Sequence, residues 1–216
     1  MSTFTYLVRR RRSTRKFLTD KPVPQELLQE SLELAMRAPS NSNVQPWRVY
    51  LATGARRDKL AAALSTAART DPPANLGLPD SFAPLRRELG ALVYGSMGVA
   101  RDDVDARWTA QLRNFEFFGA PHVAVVHTDR ALGVYGAVDC GGYVTALLLA
   151  ARACGVDSVA MASIAMYSDL VRRHLDLGED RQVVCAVGLG LADEGHPANA
   201  FRTSRAAPDE VVETRA

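Results

Sequence analysis

Along the chain the spacing of apolar positions changes several times, and each change marks a predicted element. In "PQELLQESLELAMRAP", residues 24–39, Leu27, Leu28, Leu32, Leu34 and Ala35 fall at helical spacing between two prolines, which predicts an amphipathic helix delivering the chain to Ser40. "WRVYLAT", 47–53, alternates large and small side chains as a strand does, and "ARRDKLAAALSTAAR", 55–69, returns to helical composition. Residues 70–84 make a proline-rich connection long enough to cover a site. Residues 85–118 read as helical, broken at Gly90, Gly95 and Gly98. The β-branched "HVAVVHT", 122–128, predicts a strand, and 134–155 a long helix that is apolar around most of its circumference. A short strand and turn over 156–163, a helix over 167–177 and a strand over 181–190 follow. The order implies one α+β domain over 1–216, a small central sheet of mixed or antiparallel strands flanked by helices. Its last segment, 191–216, has too few apolar residues to fold alone and is expected to wrap over something.

Composition narrows the class. With 216 residues and 47% hydrophobic content the chain can bury a real core. Its 26 basic and 24 acidic residues nearly balance, which gives no general reason to expect nucleic acid. The three cysteines, Cys140, Cys154 and Cys185, show neither metal-ligand spacing nor a secretory disulfide pattern, so a reducing, cytoplasmic setting is expected. Arg9–Arg12 interrupt the N-terminus too early for a signal peptide. "GGYVTALLLAA", 141–151, is shorter than the ~20 residues a membrane-spanning helix needs, so no membrane is expected.

Local charge is less even. Residues 1–22 carry Arg9, Arg10, Arg11, Arg12, Arg15, Lys16 and Lys21 against Asp20 alone. The run is a solvated terminus, a nucleic-acid contact or a phosphate clamp. "RRSTRKF" favours the clamp, because two hydroxyls and a further guanidinium match a monophosphate bearing a polyhydroxyl chain. Nucleic acid would call for aromatic residues interleaved with the basic ones, and none are evident. "VGLGLADEG" follows a strand but lacks the third glycine and the helix of a dinucleotide turn, so any phosphate falls to side chains. His122, His127, His174 and His196 have no metal-site spacing, and no serine sits in a nucleophile elbow. The aromatic residues of 108–118, together with the 70–84 connection, are either a substrate wall or core.

Five stretches in order, "RRSTR" at 11–15, "APSNSNVQPW" at 38–47, "FFGAP" at 117–121, "GVDSVAMASIAMYSDLVRRHLDL" at 155–177 and "NAFRTSRAAPDEVV" at 199–212, resemble the FMN-dependent nitroreductase family. The resemblance implies an α+β sandwich in an intertwined homodimer, two FMN molecules at the subunit interface, and residues 191–216 as an extension embracing the partner. It implies that Arg11, Arg12, Ser13 and Arg15 hold the phosphate and ribityl end. Ser40, Asn41 and Asn43, shaped by Pro39, would reach the flavin of the other subunit. The backbone at Met161, Ala162 and Ser163 would donate to the ring, and Asn114 is a further contact. Arg205 matches an arginine that meets the phosphate. Many members carry a lysine where this chain has Thr203, and Arg202 is placed to supply that charge. No catalytic side chain and no metal is implied: the flavin takes hydride from NADH or NADPH and passes it to a small-molecule acceptor such as a nitroaromatic or quinone. A specialised flavoenzyme of the same superfamily, for flavin cleavage, reductive dehalogenation or ring oxidation, and a non-catalytic flavin-binding protein are the alternatives.

Overall fold

The computed structural model describes residues 2–72 and 79–215. Four strands, β1 (Arg48–Thr53), β2 (His122–Asp129), β3 (Asp157–Met161) and β4 (Arg181–Gly190), form one sheet in the order β1-β2-β4-β3. Every pair in it is antiparallel, with a register shift between Val126 and His127. Alternation on β2 explains both layers. Val123 and Val125 enter one core while Ala124 and Val126 enter the other, all of them fully buried. With both faces covered, the strand reads as a continuous apolar run instead of an alternating one.

One face is covered by α2 (Gln25–Ala35) and α6 (Gly133–Ala153), the other by α3 (Gly54–Thr70), α5 (Val104–Leu112) and α7 (Ser168–His174). Helix α6 turns Gly136, Cys140, Tyr143, Leu147, Ala150 and Ala151 inward, a spacing that keeps one stripe against the sheet. Tyr143 stacks on Trp47 with ring centroids 5.2 Å apart. Val134, Tyr135 and Val138 on the opposite stripe are exposed, so the all-round apolar character is answered on one side only within the protomer. The helical run from Arg130 to Ala153 is long and apolar enough to cross a membrane by length and composition, which corrects the shorter estimate from 141–151; its inward stripe is built into the sheet.

Three further differences from the sequence reading have physical causes. Helix α1 (Thr3–Arg10) was not expected: it is eight residues long with no buried side chain, capped by Ser2, whose hydroxyl accepts from the Thr5 N–H, and by Arg9 and Arg10 in its last turn, where cations favour the dipole. It ends inside the arginine run, leaving Arg11 as its cap. Gly90 lies within α4 (Ala83–Ser96) and does not break it, whereas the chain leaves the helix between Gly95 and Gly98. Phe115, Phe117 and Phe118 are core residues packed under α3, and Trp108 packs against the same cluster, so the aromatic stretch is core and not an open wall. Of the 70–84 connection, 73–78 lie outside the described residues; Thr70 closes α3, and Asp80–Phe82 form a short turn into α4. The tail carries one short helix, α8 (Pro208–Val211), and is exposed from Arg202 to Arg215.

The extended segment after Arg12 closes the end of the sheet. The Thr14 N–H donates to the Ser158 carbonyl, Phe17 to Phe118, and Leu18 to Leu191, while Asp193 donates to Lys16. Phe17 is fully buried, which contributes about 1.5–3 kcal/mol. Glycines make room for it: a Cβ on Gly190 would lie 2.7 Å from Phe17 Cδ1 and 2.8 Å from Pro121 Cδ. The "GLG" pair therefore serves close packing and not a nucleotide. Gly190→Ala is expected to lower the unfolding free energy by about 1–3 kcal/mol in a denaturant titration, the usual range for overpacking. Gly95→Ala, which meets nothing within 4 Å, is expected to cause no loss.

Candidate functional site

Both chain ends meet at Asn199, which is 2% exposed. Its Oδ1 accepts from the Arg15 N–H at 2.7 Å, and its Nδ2 donates to the carbonyls of Lys16 and Asp193 at 2.8 and 2.9 Å. Its own carbonyl accepts from Arg12 at 2.9 Å and from Arg202 at 3.5 Å. The side-chain amide thus sets the backbone of the N-terminal segment, and the main-chain carbonyl of the same residue receives two guanidiniums. Nothing in the sequence marked Asn199 beyond its place in the tail motif, since an asparagine two residues after a proline ordinarily reads as a surface turn.

The cations around this amide crowd one another. Burial, then the charge of Arg205, lowers the pKa of Arg11. Burial, followed by Arg12, Arg10 and Arg152, lowers that of Arg202. Arg15 is lowered by burial; its guanidinium lies 5.2 Å from the Phe201 ring centroid and donates to the Ser13 carbonyl. Counter-charge is thin: Arg12 reaches the exposed Glu194 only at 3.6 Å, and Arg152 is held by Asp157 at 3.0 Å. Thr203, where a lysine is common in the family it resembles, accepts from Arg205 at 2.7 Å through its hydroxyl and so orients that guanidinium. Like charges held this close fit an anion, which would relieve their repulsion. Arg9 and Arg10 sit on the exposed end of α1, which divides the arginine run into a solvated half and an inward half.

Ser13 bridges to Ser158 at the start of β3, so the segment runs alongside that edge strand. Past the other end of β3, the Met161 side chain is buried in the core and Ala162 is exposed, leaving the backbone as the available polar surface. The hydroxyls of Thr14 and Ser163 are buried without a hydrogen-bond partner. A bound group with acceptor oxygens along this edge would satisfy such donors.

Residues 39–45 lie elsewhere in the protomer. Ser42, Asn43 and Gln45 all have positive φ, 47°, 56° and 48°. The turn is held by the Ser40 hydroxyl, which accepts from the Gln45 N–H at 2.9 Å, and by Asp139 of α6, whose two carboxylate oxygens accept from the Asn41 N–H at 3.1 and 3.2 Å. Pro39, Asn41 and Asn43 are exposed, and Ser40 is half-buried. Among the described residues no hydrogen bond or ion pair joins this loop to Arg11, Arg12, Ser13, Arg15, Arg202 or Arg205. Asn114 also stands apart, its Nδ2 donating to the Gln111 carbonyl at 2.9 Å in the turn before β2. The structure therefore assembles the arginine group and the β3 edge, and keeps the 39–45 loop separate.

A profile of the Nitroreductase family matches residues 8–191. The chain belongs to that family. It is 37% identical over 212 residues to Nitroreductase NfnB of Mycolicibacterium smegmatis, covering 95% of this chain and 90% of that one. It is 35% identical over 219 residues to a 4-nitrobenzoate reductase of a Nocardioides species, covering 97% and 88%. Among solved structures, the FMN-dependent nitroreductase NfnB from Mycobacterium smegmatis in complex with NADPH superposes with a TM-score of 0.89 at 33% identity, covering 98% and 97% of the two chains. The FMN and NADPH-dependent NfnB from sphigopyxis sp. strain HMH gives a TM-score of 0.93 at 32% identity over both full lengths. The family match ends at Leu191, so Asn199, Arg202 and Arg205 lie beyond the matched residues.

Asn199→Ala removes three side-chain hydrogen bonds from a buried position. It is expected to lower the unfolding free energy by about 2–4 kcal/mol, read by denaturant titration, because the groups left behind lose their partners.

Proposed function

We propose that this protein is an FMN-dependent NAD(P)H oxidoreductase of the nitroreductase type, a homodimer in the cytoplasm, reducing small electron-poor acceptors such as nitroaromatics and quinones. The observation that carries the reading is the cation group built from both chain ends around Asn199, which fits a phosphate dianion. The relatives named above for nitroreduction, and for FMN and NADPH dependence, support the chemistry.

FMN, when bound, accepts hydride from a nicotinamide and passes reducing equivalents to the acceptor. The chain's own part is to hold and tune. Arg11, Arg12, Arg202 and Arg205 neutralise the phosphate, and Ser13 and Arg15 meet the ribityl end. The backbone at Met161, Ala162 and Ser163 offers donors to the ring, where fixed dipoles stabilise negative charge without reorganising. No side chain is assigned a proton-transfer role.

Ser40, Asn41 and Asn43, shaped by Pro39, are read as serving the flavin of the other subunit. The exposure of Asn41 and Asn43 on their own protomer supports this, as does the lack, among the described residues, of any hydrogen bond or ion pair between the loop and the arginine group. The exposed stripe of α6 at Val134, Tyr135 and Val138 and the exposed tail from 202 onward supply surface for the partner. The free cysteines agree with the cytoplasm: burial pushes the Cys185 thiol up to about 12, which leaves it protonated and inert at neutral pH.

Purified protein reconstituted with FMN is expected to show stoichiometric flavin absorption, bleach anaerobically with NADH or NADPH, and recover colour with a nitroaromatic; no retained flavin would overturn the proposal. Arg15→Ala should weaken FMN about tenfold or more, the loss expected for a hydrogen bond to a charged group. Asp139→Ala, which frees the Asn41 N–H, should also weaken it while leaving the arginine group intact. Mixing these two variants tests the shared site: a dimer of one Arg15→Ala chain and one Asp139→Ala chain keeps one intact site and should regain up to half of the wild-type flavin. No regain would mean that loop and arginines serve the same chain's flavin.

A further inference from the structure

Arg15 stacks on Phe201, but Lys16, its neighbour in an extended segment, leads elsewhere. It lines a separate open cleft of about 470 Å³ between α3 and the turn before β2. Arg57, Ser65 and Ala61 of α3 form one wall, and Arg113 and Phe118 the other. None of the residues assigned to flavin lies in it.

The cations of this cleft fall into two kinds. Arg57 is fully engaged, donating to the carbonyls of Ala120 at 3.0 Å and Glu116 at 2.7 Å and pairing with Asp58 at 3.0 Å, so it braces the wall. The Lys16 ammonium and the Arg113 guanidinium have no hydrogen-bond or ion-pair partner among the described residues; the two residues are bonded only through their backbone. Their charges also reach one neighbour in common: the pKa of His196 is lowered by burial first and then by Arg113, with Asp193 opposing and Lys16 adding to the fall. The Ser65 hydroxyl, in the same wall, is buried and unpaired. A buried hydroxyl without a partner is unfavourable, and a ligand oxygen would give it one.

A primary ammonium, a free guanidinium fork and an orphaned hydroxyl make a phosphate-binding set. The cleft is larger than an inorganic anion needs and falls within the ~300–1,000 Å³ of ordinary small-molecule sites, with the exposed Ala62 and Thr19 in its lining as surface for an organic body. We infer that this cleft is a second ligand site, taking a small phosphomonoester whose phosphate lies among Lys16, Arg113 and Ser65 and whose body rests against Ala62 and Thr19. Mononucleotides and sugar phosphates share that chemistry. Glu116, an exposed carboxylate in the lining, opposes the phosphate charge and fixes the direction of one test.

Isothermal titration calorimetry on the FMN-reconstituted protein, freed of excess FMN and at low ionic strength, separates the cases. AMP and ribose 5-phosphate are the probes, with adenosine, ribose and inorganic phosphate as controls. At least one ester should bind, the uncharged controls should not, and inorganic phosphate should bind more weakly than the ester. The tighter ester names the source. Lys16→Ala and Arg113→Ala should each weaken binding about tenfold or more with the flavin absorption unchanged. Glu116→Gln, a surface change that spares the fold, should tighten it. Absence of binding, binding that ignores Lys16→Ala and Glu116→Gln, or inorganic phosphate binding as well as the esters would overturn the proposal.

Discussion

Backbone hydrogen bonds from residues 14–18 to Ser158, Phe118 and Leu191, with the return bond from Asp193 to Lys16, hold an extended segment across the end of the sheet. Such bonds leave little freedom, since each joins a group that would otherwise be buried without a partner. Phe17 fills the gap beneath, and glycine at 190 lets it approach. Everything charged on either side takes its position from this strip: Arg15 to one side, Lys16 to the other, and Arg12 at its start. Had the segment been a free terminus, the same residues would have made a diffuse basic patch.

The cations gathered there stand close enough to disfavour one another: beside burial, Arg205 lowers the pKa of Arg11, and Arg12, Arg10 and Arg152 lower that of Arg202. An anion that binds only the folded form offsets this and adds stability by mass action, in proportion to the logarithm of its concentration over its dissociation constant. Occupancy by such an anion would therefore be linked to stability through the same side chains.

Much of this was legible in the sequence, for identifiable reasons. The strand over 181–190 appears with the expected limits because its valines form an apolar run between Arg181 and a closing glycine pair. The four-strand sheet between helices follows from the alternation of periods. The flavin assignment rested on the ordered motifs and on hydroxyls set beside guanidiniums. Other features were hidden. Helix α1 is short and buries nothing, so its apolar pattern carries no core signal. The division of the arginine run depends on where that helix stops. Phe115, Phe117 and Phe118 took the core because a left-handed turn at 117–119 rolls them under α3, a backbone choice that composition does not announce. Asn199 was invisible because its importance lies in contacts with residues far away in sequence.

That distance has a consequence for how the protein is made. The Asn199 side chain meets Arg15 across 184 residues. A ribosome adding about 5–20 residues each second needs roughly ten to forty seconds to bridge that interval. Through all of that time the N-terminal arginines exist without the residue that fixes their backbone and receives Arg12, so the emerging chain offers an unformed basic end to the cell, and the arginine group is assembled only as synthesis finishes.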